Sequence, residues 1–518
     1  MIARYSPIMD VVDFPSLLLT ILFTLLVVKL GIKLRTNKNS GCNLPPGPWK
    51  LPLIGNLYHI IGSRPPHQAL AELAKKYGPV MHFQMGEVPT ILVSSPETAK
   101  EILQTHDINF ASRPLNSVSE VMTRKAPNII FSPYGEMWRQ LRKICVLELL
   151  SIRRVRSFRF IREEETSNLM RRMAEGGSSS LPVNLTADVA SSVYSTTARV
   201  AFGKKSPEQE AFISKIQEIA VLAAGFNVAD MFPSFKFVCV VTGMKARLEG
   251  IHKKIDSILT TIIKEHKEAA AGDNNPEKNA QKDLVDVLLE YEEAENHEFS
   301  LTLDSIKTVL LDVYFAGTDS SVATIDWAMS EMMKNPRIME KAQEEVRQVF
   351  KDKGEVDEES FDKLKYLKSI IRETLRLHPA GPLIIRQSNE QCKIGSYEIP
   401  AKSKVFVNVW AINRDPLYWK DADTFYPERF LLDCSSVDYY KGASFEYIPF
   451  GAGRRICAGV QFGIANVELH LAKLLYHFDW YLPNGIKPEE LDMTEAAGLV
   501  VKRKHNLHLI PVLRNPLL

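Results

Sequence analysis

The segment Phe450-Gly-Ala-Gly-Arg-Arg-Ile-Cys457-Ala-Gly459 constrains this chain most, because it sets one cysteine among glycines and arginines just ahead of a helical run. Gly453 permits a tight turn, and Gly459 removes side-chain bulk where a flat cofactor can approach the backbone. From Val460 to Leu475 apolar residues recur at helical spacing. Cys457 is therefore expected at a helix N-terminus, where free N–H groups and the dipole favour a negative sulfur and lower its pKa. A buried cysteine beside a glycine turn is the competing account. So many spaced constraints around one thiol favour a thiolate held against a metal cofactor.

Bulk properties narrow the function classes. The chain has 518 residues, and Lys plus Arg exceed Asp plus Glu by 64 − 62 = 2, so no nucleic-acid partner is indicated. The six cysteines at 42, 145, 239, 392, 434 and 457 show no CxxC and no disulfide-like framework, which fits a reducing compartment. Phe14 to Val28 is nearly all apolar, and Leu30 to Ile32 extend it past Lys29. That length is close to the roughly 20 residues needed to span a bilayer. A cleaved signal peptide is the alternative, but the basic residues follow the apolar run and no small-residue cleavage site is evident. Lys29, Lys33, Arg35 and Lys38 on the C-terminal flank place everything beyond residue 33 in the cytosol. The sequon Asn184-Leu-Thr186 is then incidental.

Leu44-Pro-Pro-Gly-Pro-Trp-Lys-Leu-Pro52 cannot be helical and predicts a stiff extended spacer. Val80–Phe83 and Thr90–Val93 predict a hairpin around Gly86. Helical patterns dominate 135–265, 301–333, 337–350 and 361–378, and the breaker-rich stretch 270–280 predicts an exposed loop. Extended pieces at 383–388, 393–399 and 404–409 suggest a small sheet. The fold class is mainly α with a small β portion (α+β).

Three further constellations carry chemistry. Glu373 and Arg376 share one helix face with apolar flanks, which argues for a buried ion pair needing further partners. Trp138 and Arg142 lie one helical turn apart, and both are donors only, suited to a carboxylate. Ala316-Gly-Thr-Asp-Ser-Ser321 places Asp319 and Ser320 in a helix otherwise flanked by apolar residues. An acid beside an alcohol suits relayed proton delivery. The alternative is structural, with Asp319 in an ion pair and Ser320 bonded back to a helix carbonyl. Thr318 and Ser321 are neighbouring hydroxyls able to share the role.

Taken with the cysteine loop, these segments resemble the cytochromes P450, and most closely the plant microsomal members of specialised metabolism. The cysteine loop resembles their haem-binding loop, Glu373 and Arg376 their Glu-x-x-Arg signature, and Phe425-Tyr-Pro-Glu-Arg-Phe430 the element that supplies Arg429 as a third member. The resemblance spans about residues 44–505. It implies a P450 fold with one N-terminal transmembrane helix: a luminal tail 1–12, a signal anchor 13–32, a basic flank and proline hinge 33–56, and a cytosolic catalytic domain 57–518. It implies haem b ligated by Cys457, which pushes electron density toward O–O cleavage. The cofactor would be bordered by Phe450, Gly459 and Gly317, with Gly317 opening the helix for dioxygen. Its propionates would meet Trp138, Arg142, Arg386 and Arg455, while Asp319 and Ser320 deliver protons. Ser320 stands where the family usually has threonine, which bears on coupling. Pro379 to Arg386 also lacks a proline that often precedes that arginine.

As a whole the resemblance implies a monooxygenase that uses O2 and electrons from a separate NADPH-cytochrome P450 reductase at the endoplasmic reticulum membrane. The chain itself has no dinucleotide fingerprint. The matching recognition regions contribute Leu115, Val118, Val121, Met122, Ile129, Val313, Ala316, Leu383, Ile384, Leu499 and Val500, predominantly aliphatic. A small lipophilic substrate follows, a terpenoid first and an alkaloid or phenolic second. A reductase-independent isomerase or dehydratase, and a haem-binding partner or sensor without turnover, are the other classes to separate.

Overall fold

The computed structural model describes residues 43–517, apart from 63, 178–180, 205–207, 224–226, 273–281, 294–300, 433–441 and 443. The apolar stretch 14–32 lies outside the described residues. Among those described, no helix is long and apolar enough to cross a membrane.

The architecture is mostly helical with a minor sheet portion. At its centre runs the helix Leu303–Lys334, begun by Thr302, whose Oγ1 accepts the Ser305 N–H at 3.2 Å. Asn335–Pro336 ends it and opens the helix Pro336–Phe350. The long helix is buried on nearly all sides, as its apolar character around the full circumference requires. It packs on the helices Leu185–Phe202, Val460–His477 and Lys365–Leu377. Asn184 of the sequon caps the first of these through Ala187 N–H at 3.1 Å, an ordinary structural use.

The predicted hairpin forms as Val80–Met85 against Val88–Val93 and turns at Gly86, whose φ is +61°. Lys404–Asn408 adds to it in parallel and Leu383–Gln387 closes the four-stranded sheet antiparallel to that strand. Alternation sends Met81, Phe83, Met85 and Phe406 to one face with Leu57 and Leu70. Val80, Ile91, Val405 and Val407 go to the other, with Ile102, Leu103 and Phe110. The extended piece expected at 393–399 is instead a separate hairpin, Cys392–Ile394 with Tyr397–Ile399, because Gly395 at φ +56° turns the chain back. The loop expected from residue 270 also starts later, since the helix Met244–Gly272 carries through Ala270 and Ala271. The remainder of that stretch lies outside the described residues.

The proline-rich strap is docked rather than free-standing. Pro46 O accepts the His82 N–H at 2.8 Å, and Asn56 Nδ2 donates to Trp49 O at 2.8 Å. A Cβ on Gly47 would lie 2.0 Å from His82 O, so only glycine allows this approach.

Glu373 and Arg376 form the expected pair, with both side chains fully buried and Nε to Oε2 at 2.8 Å. Arg429 Nε reaches Glu373 at 3.1 Å, and Arg376 donates to the carbonyls of Asn413, Ala422 and Thr424. The triad therefore clasps the 413–429 segment to the helix Lys365–Leu377. Its hold on the cysteine loop passes through Trp419, Phe430 and Tyr447, whose rings pack together. Tyr447 Oη also donates to Arg372 O at 2.8 Å.

Removing one partner of a buried charge network leaves the others uncompensated, so Glu373→Gln is expected to cost about 3–5 kcal/mol. Denaturant unfolding of the variant is the check, and an unchanged midpoint would remove the clasp. A second prediction concerns pH. His266 Nε2 lies 2.8 Å from Asp283, joining the helices Met244–Gly272 and Leu284–Glu293. Burial draws the imidazole down, but the bond and charge of Asp283 outweigh this and raise it to about 9. A folded value above the free one makes the stabilisation full below about pH 6.5 and lost as pH rises through about 9. His266→Gln should thus lower the melting temperature near pH 6.5 and far less near about pH 10. Equal losses at both would refute the ion pair.

Candidate active site

The cysteine loop is closed by its own backbone. Cys457 N–H donates to Phe450 O at 2.9 Å, and Ile456 N–H to Gly453 O at 3.0 Å. Gly453 holds φ +71°, and a Cβ there would meet Leu103 O at 2.0 Å, so the loop presses on the backbone of a distant segment. The helix begins at Val460 with Gly459 as its N-cap. Apart from its chain neighbours, no described residue lies within 4 Å of where a Cβ on Gly459 would be, which leaves the open face a flat cofactor requires.

Cys457 is accessible, yet its thiol has much protein around it, so it sits in a recess rather than on the outer surface. Burial pushes the thiol up, against the opposing pull of the Gly459 N–H, Arg142 and Arg113. The expected lowering by the helix terminus is therefore reversed for the free thiol: desolvation of the anion outweighs one N–H and two guanidiniums.

Four guanidiniums converge beside this recess. Burial and then Arg113 and Arg455 drive Arg386 well below its ordinary range. Burial and the charges of Arg113 and Arg142 bring Arg455 down to about 9. Arg142 donates to Ile456 O within the cysteine loop. Arg113 was missed from sequence, where only its place before Pro114, in an extended stretch without acidic neighbours, marks it. It is half-buried, its buried Nε has no partner among the described residues, and Asp312, Arg142 and Cys457 all act on it. Mutually repelling buried cations with an unsatisfied donor are short of negative charge, and two propionates fit that deficit.

The structure redistributes the predicted donors. Trp138 Nε1 is committed to Ile129 O at 3.0 Å. Arg455 is committed to Ala111 O at 2.6 Å, Ile129 O at 3.2 Å and Ser132 O, and its guanidinium lies over the Trp138 ring at 4.3 Å. Among the described residues, Arg386 makes only the 3.0 Å bond to Ile385 O. Free donor capacity thus lies mainly with Arg386 and Arg113, while Trp138 and Arg455 brace the wall.

On the long helix Ala316 is exposed and Ser320, one turn later, is partly exposed. Ser320 Oγ donates to Ala316 O at 2.7 Å. Thr318 and Ser321 are buried and bonded back to Tyr314 O and Gly317 O. Asp319 is buried elsewhere: its Oδ1 accepts from Tyr194 Oη, and its Oδ2 meets Lys502 Nζ at 2.8 Å. Acid and alcohol adjoin in sequence but diverge by the roughly 100° between successive helical residues. This is the structural alternative weighed above, present at both positions. Gly317 does not open the helix, which is unbroken there. A Cβ at Gly317 would lie 3.2 Å from Phe462 and 3.7 Å from Thr197, so the glycine serves close helix packing.

Of the aliphatic residues expected to face substrate, Leu115, Ile129, Leu383, Ile384, Leu499 and Val500 keep exposed or partly exposed surface. Val118, Val121 and Met122 instead pack in the core with the helix Met244–Gly272. Arg113→Ala should accelerate haem loss to an acceptor protein by roughly tenfold, the effect of one lost hydrogen bond to a charged group. An unchanged transfer rate would remove Arg113 from the propionate set.

Comparison with known proteins agrees with this geometry. Residues 45–510 match the family model described as cytochrome P450. The chain is 51% identical to desmethyl-deoxy-podophyllotoxin synthase of Sinopodophyllum hexandrum, over 97% of each chain. It is 50% identical to tabersonine 6,7-epoxidase isoform 1 of Catharanthus roseus, over 94% of this chain and 95% of that one. It is also 50% identical to premnaspirodiene oxygenase of Hyoscyamus muticus, over 92% and 95%. In fold, a zebrafish cytochrome P450 structure with progesterone superposes at a TM-score of 0.73, with 21% identity, over 87% of this chain and 100% of that one. The thiol recess, its arginine cluster and these likenesses have one reading: the chain belongs to the cytochrome P450 family and is a haem-thiolate monooxygenase.

Proposed function

We propose that this monooxygenase hydroxylates a small, neutral, lipophilic plant metabolite, a terpenoid skeleton first. The observation that carries this is the commitment of both long-helix carboxylates near the site. Asp319 is taken by Tyr194 and Lys502, and Asp312 by the backbone N–H groups of Ile129 and Ile130. Neither is left for a basic nitrogen of a substrate, while Leu383, Ile384, Leu499 and Val500 offer apolar surface. Relatives named for premnaspirodiene oxidation support a terpenoid. An alkaloid or phenolic is the second reading, on the names tabersonine 6,7-epoxidase and desmethyl-deoxy-podophyllotoxin synthase.

Haem held by Cys457 supplies the oxygen-activating chemistry when bound. The chain's own part is to orient substrate and to move protons. Ser320 Oγ, on the accessible face, is the first hydroxyl of the relay, and Asp319 is the reserve acid behind it. Lys502 is partly exposed, so the Lys502–Asp319 pair extends from solvent to the long helix. For Asp319 to serve Ser320 it must leave Lys502 or Tyr194, which makes this pair the gate of the relay.

The electron donor in this reading is NADPH-cytochrome P450 reductase, and the site of action the cytosolic face of the endoplasmic reticulum membrane. Two features support a membrane. The apolar segment 14–32 precedes the docked strap, and large apolar side chains stand exposed near it: Trp49, Ile61, Phe237, Val240 and Val241. Hydrogen bonds from Asn56 N–H to Gln84 O and from Glu87 N–H to Met231 O bring the two chain regions to one edge of the hairpin.

The test is NADPH consumption and product formation with reductase across terpenes, alkaloids and phenolics. A hydroxylated terpene is expected. Turnover of a hydroperoxide without reductase, and no product with it, would sink the monooxygenase assignment to this substrate class. Asp319→Asn should keep haem and the carbon monoxide spectrum of thiolate ligation but lower product formation by about 100-fold. Ser320→Thr should retain haem and change only the ratio of product to NADPH consumed; loss of haem would show the distal assignment to be wrong.

A further inference from the structure

We propose that Asp312 is a positioning residue that clamps the 127–132 segment and so fixes the wall of the site carrying Ile129. Its carboxylate is 5% exposed and accepts two successive backbone donors, Ile129 N–H at 2.6 Å and Ile130 N–H at 3.3 Å. One helical turn earlier, Thr308 Oγ1 donates to Pro127 O at 3.1 Å. The same peptide is held from its other side, since Ile129 O receives Trp138 Nε1 at 3.0 Å and Arg455 Nη1 at 3.2 Å. Ile129 thus sits between an anion on its N–H and a cation on its carbonyl. The segment closes on itself through Asn128 Oδ1, which accepts from Phe131 N–H at 2.8 Å.

An apolar residue at 312 would leave two N–H groups buried without an acceptor, and the carboxylate bonds are the stronger charge-assisted kind. The choice has a chemical signature. Burial pushes the Asp312 carboxyl up to about 7, against the pull of the two N–H groups and Arg113. The titratable groups that face it are Arg113, on the 111–116 stretch, and Cys145, whose thiol is itself driven up by burial and by Asp312. Its folded value lies above that of a free carboxyl, so opening of the segment, which returns the carboxylate to water, becomes easier as pH rises through about 7. The role as a wall of the substrate site rests on the function proposed above. The clamp itself does not, so the test reads the backbone.

The experiment is hydrogen–deuterium exchange on the full chain, followed in peptides covering 127–132. At about pH 6, Asp312→Ala should lower protection of the Ile129 and Ile130 amides by about tenfold, while protection in the helix Pro336–Phe350 stays unchanged. Asp312→Asn should give a smaller loss. In the wild type, protection corrected for intrinsic exchange should fall as pH rises from about 6 to about 8, and this step should be absent from Asp312→Asn. Unchanged protection in Asp312→Ala, or a flat wild-type profile, overturns the clamp. Should the variants fail to fold, the wild-type pH series decides alone. Should the wild type lack the thiolate-haem spectrum with carbon monoxide while still showing the pH step, the functional reading fails and the clamp stands.

Discussion

The site depends on where the Arg455 side chain goes. Two residues before Cys457, it leaves the cysteine loop and donates to the carbonyls of Ala111, Ile129 and Ser132. One buried guanidinium thereby holds the loop that presents sulfur to the segment that forms the opposite wall. A lysine would give up the planar fork that serves three acceptors at once. The cost is a charge desolvated beside Arg113, Arg142 and Arg386. That cost is what makes the recess attractive to a dianionic cofactor. Scaffold and binding site are one electrostatic arrangement.

The carboxylates of the long helix show the complementary use of burial. Asp312 and Asp319 lie seven residues apart, close to two helical turns, yet they are set differently. Asp312 holds backbone and organises a wall. Among the described residues, Asp319 is held by side chains, Tyr194 and a partly exposed Lys502, which can exchange partners without unfolding backbone. In the function proposed above, a fixed acid and a releasable one on the same helix divide shape from proton movement.

Much of this was legible in sequence where the signal was local. The hairpin at Gly86, the long helix stopped at Asn335–Pro336, the buried Glu373–Arg376 pair and the glycine-shaped cysteine loop each follow from spacing and turn chemistry over a few residues. What escaped depends on partners far along the chain. Arg113 carries no local mark of burial among cations. Trp138 and Arg455 were identified as donors, but whether a donor meets a cofactor or a carbonyl is decided by residues elsewhere. Gly317 was read as an opening because mid-helix glycine is costly. Phe462 and Thr197, which explain it, are set against it only by tertiary packing.

The strand Lys404–Asn408 lies in parallel beside Val88–Val93, and Arg455 meets carbonyls more than three hundred residues upstream. The wall built from the 111–132 segment therefore takes its cation from a stretch far along the chain. Until Arg455 arrives, the 111–132 segment lacks its cation, and the buried arginines lack the packing that forces them together. Such distant closures come late in folding. A chain lacking the cysteine loop lacks the sulfur and also the cation that holds the 111–132 segment.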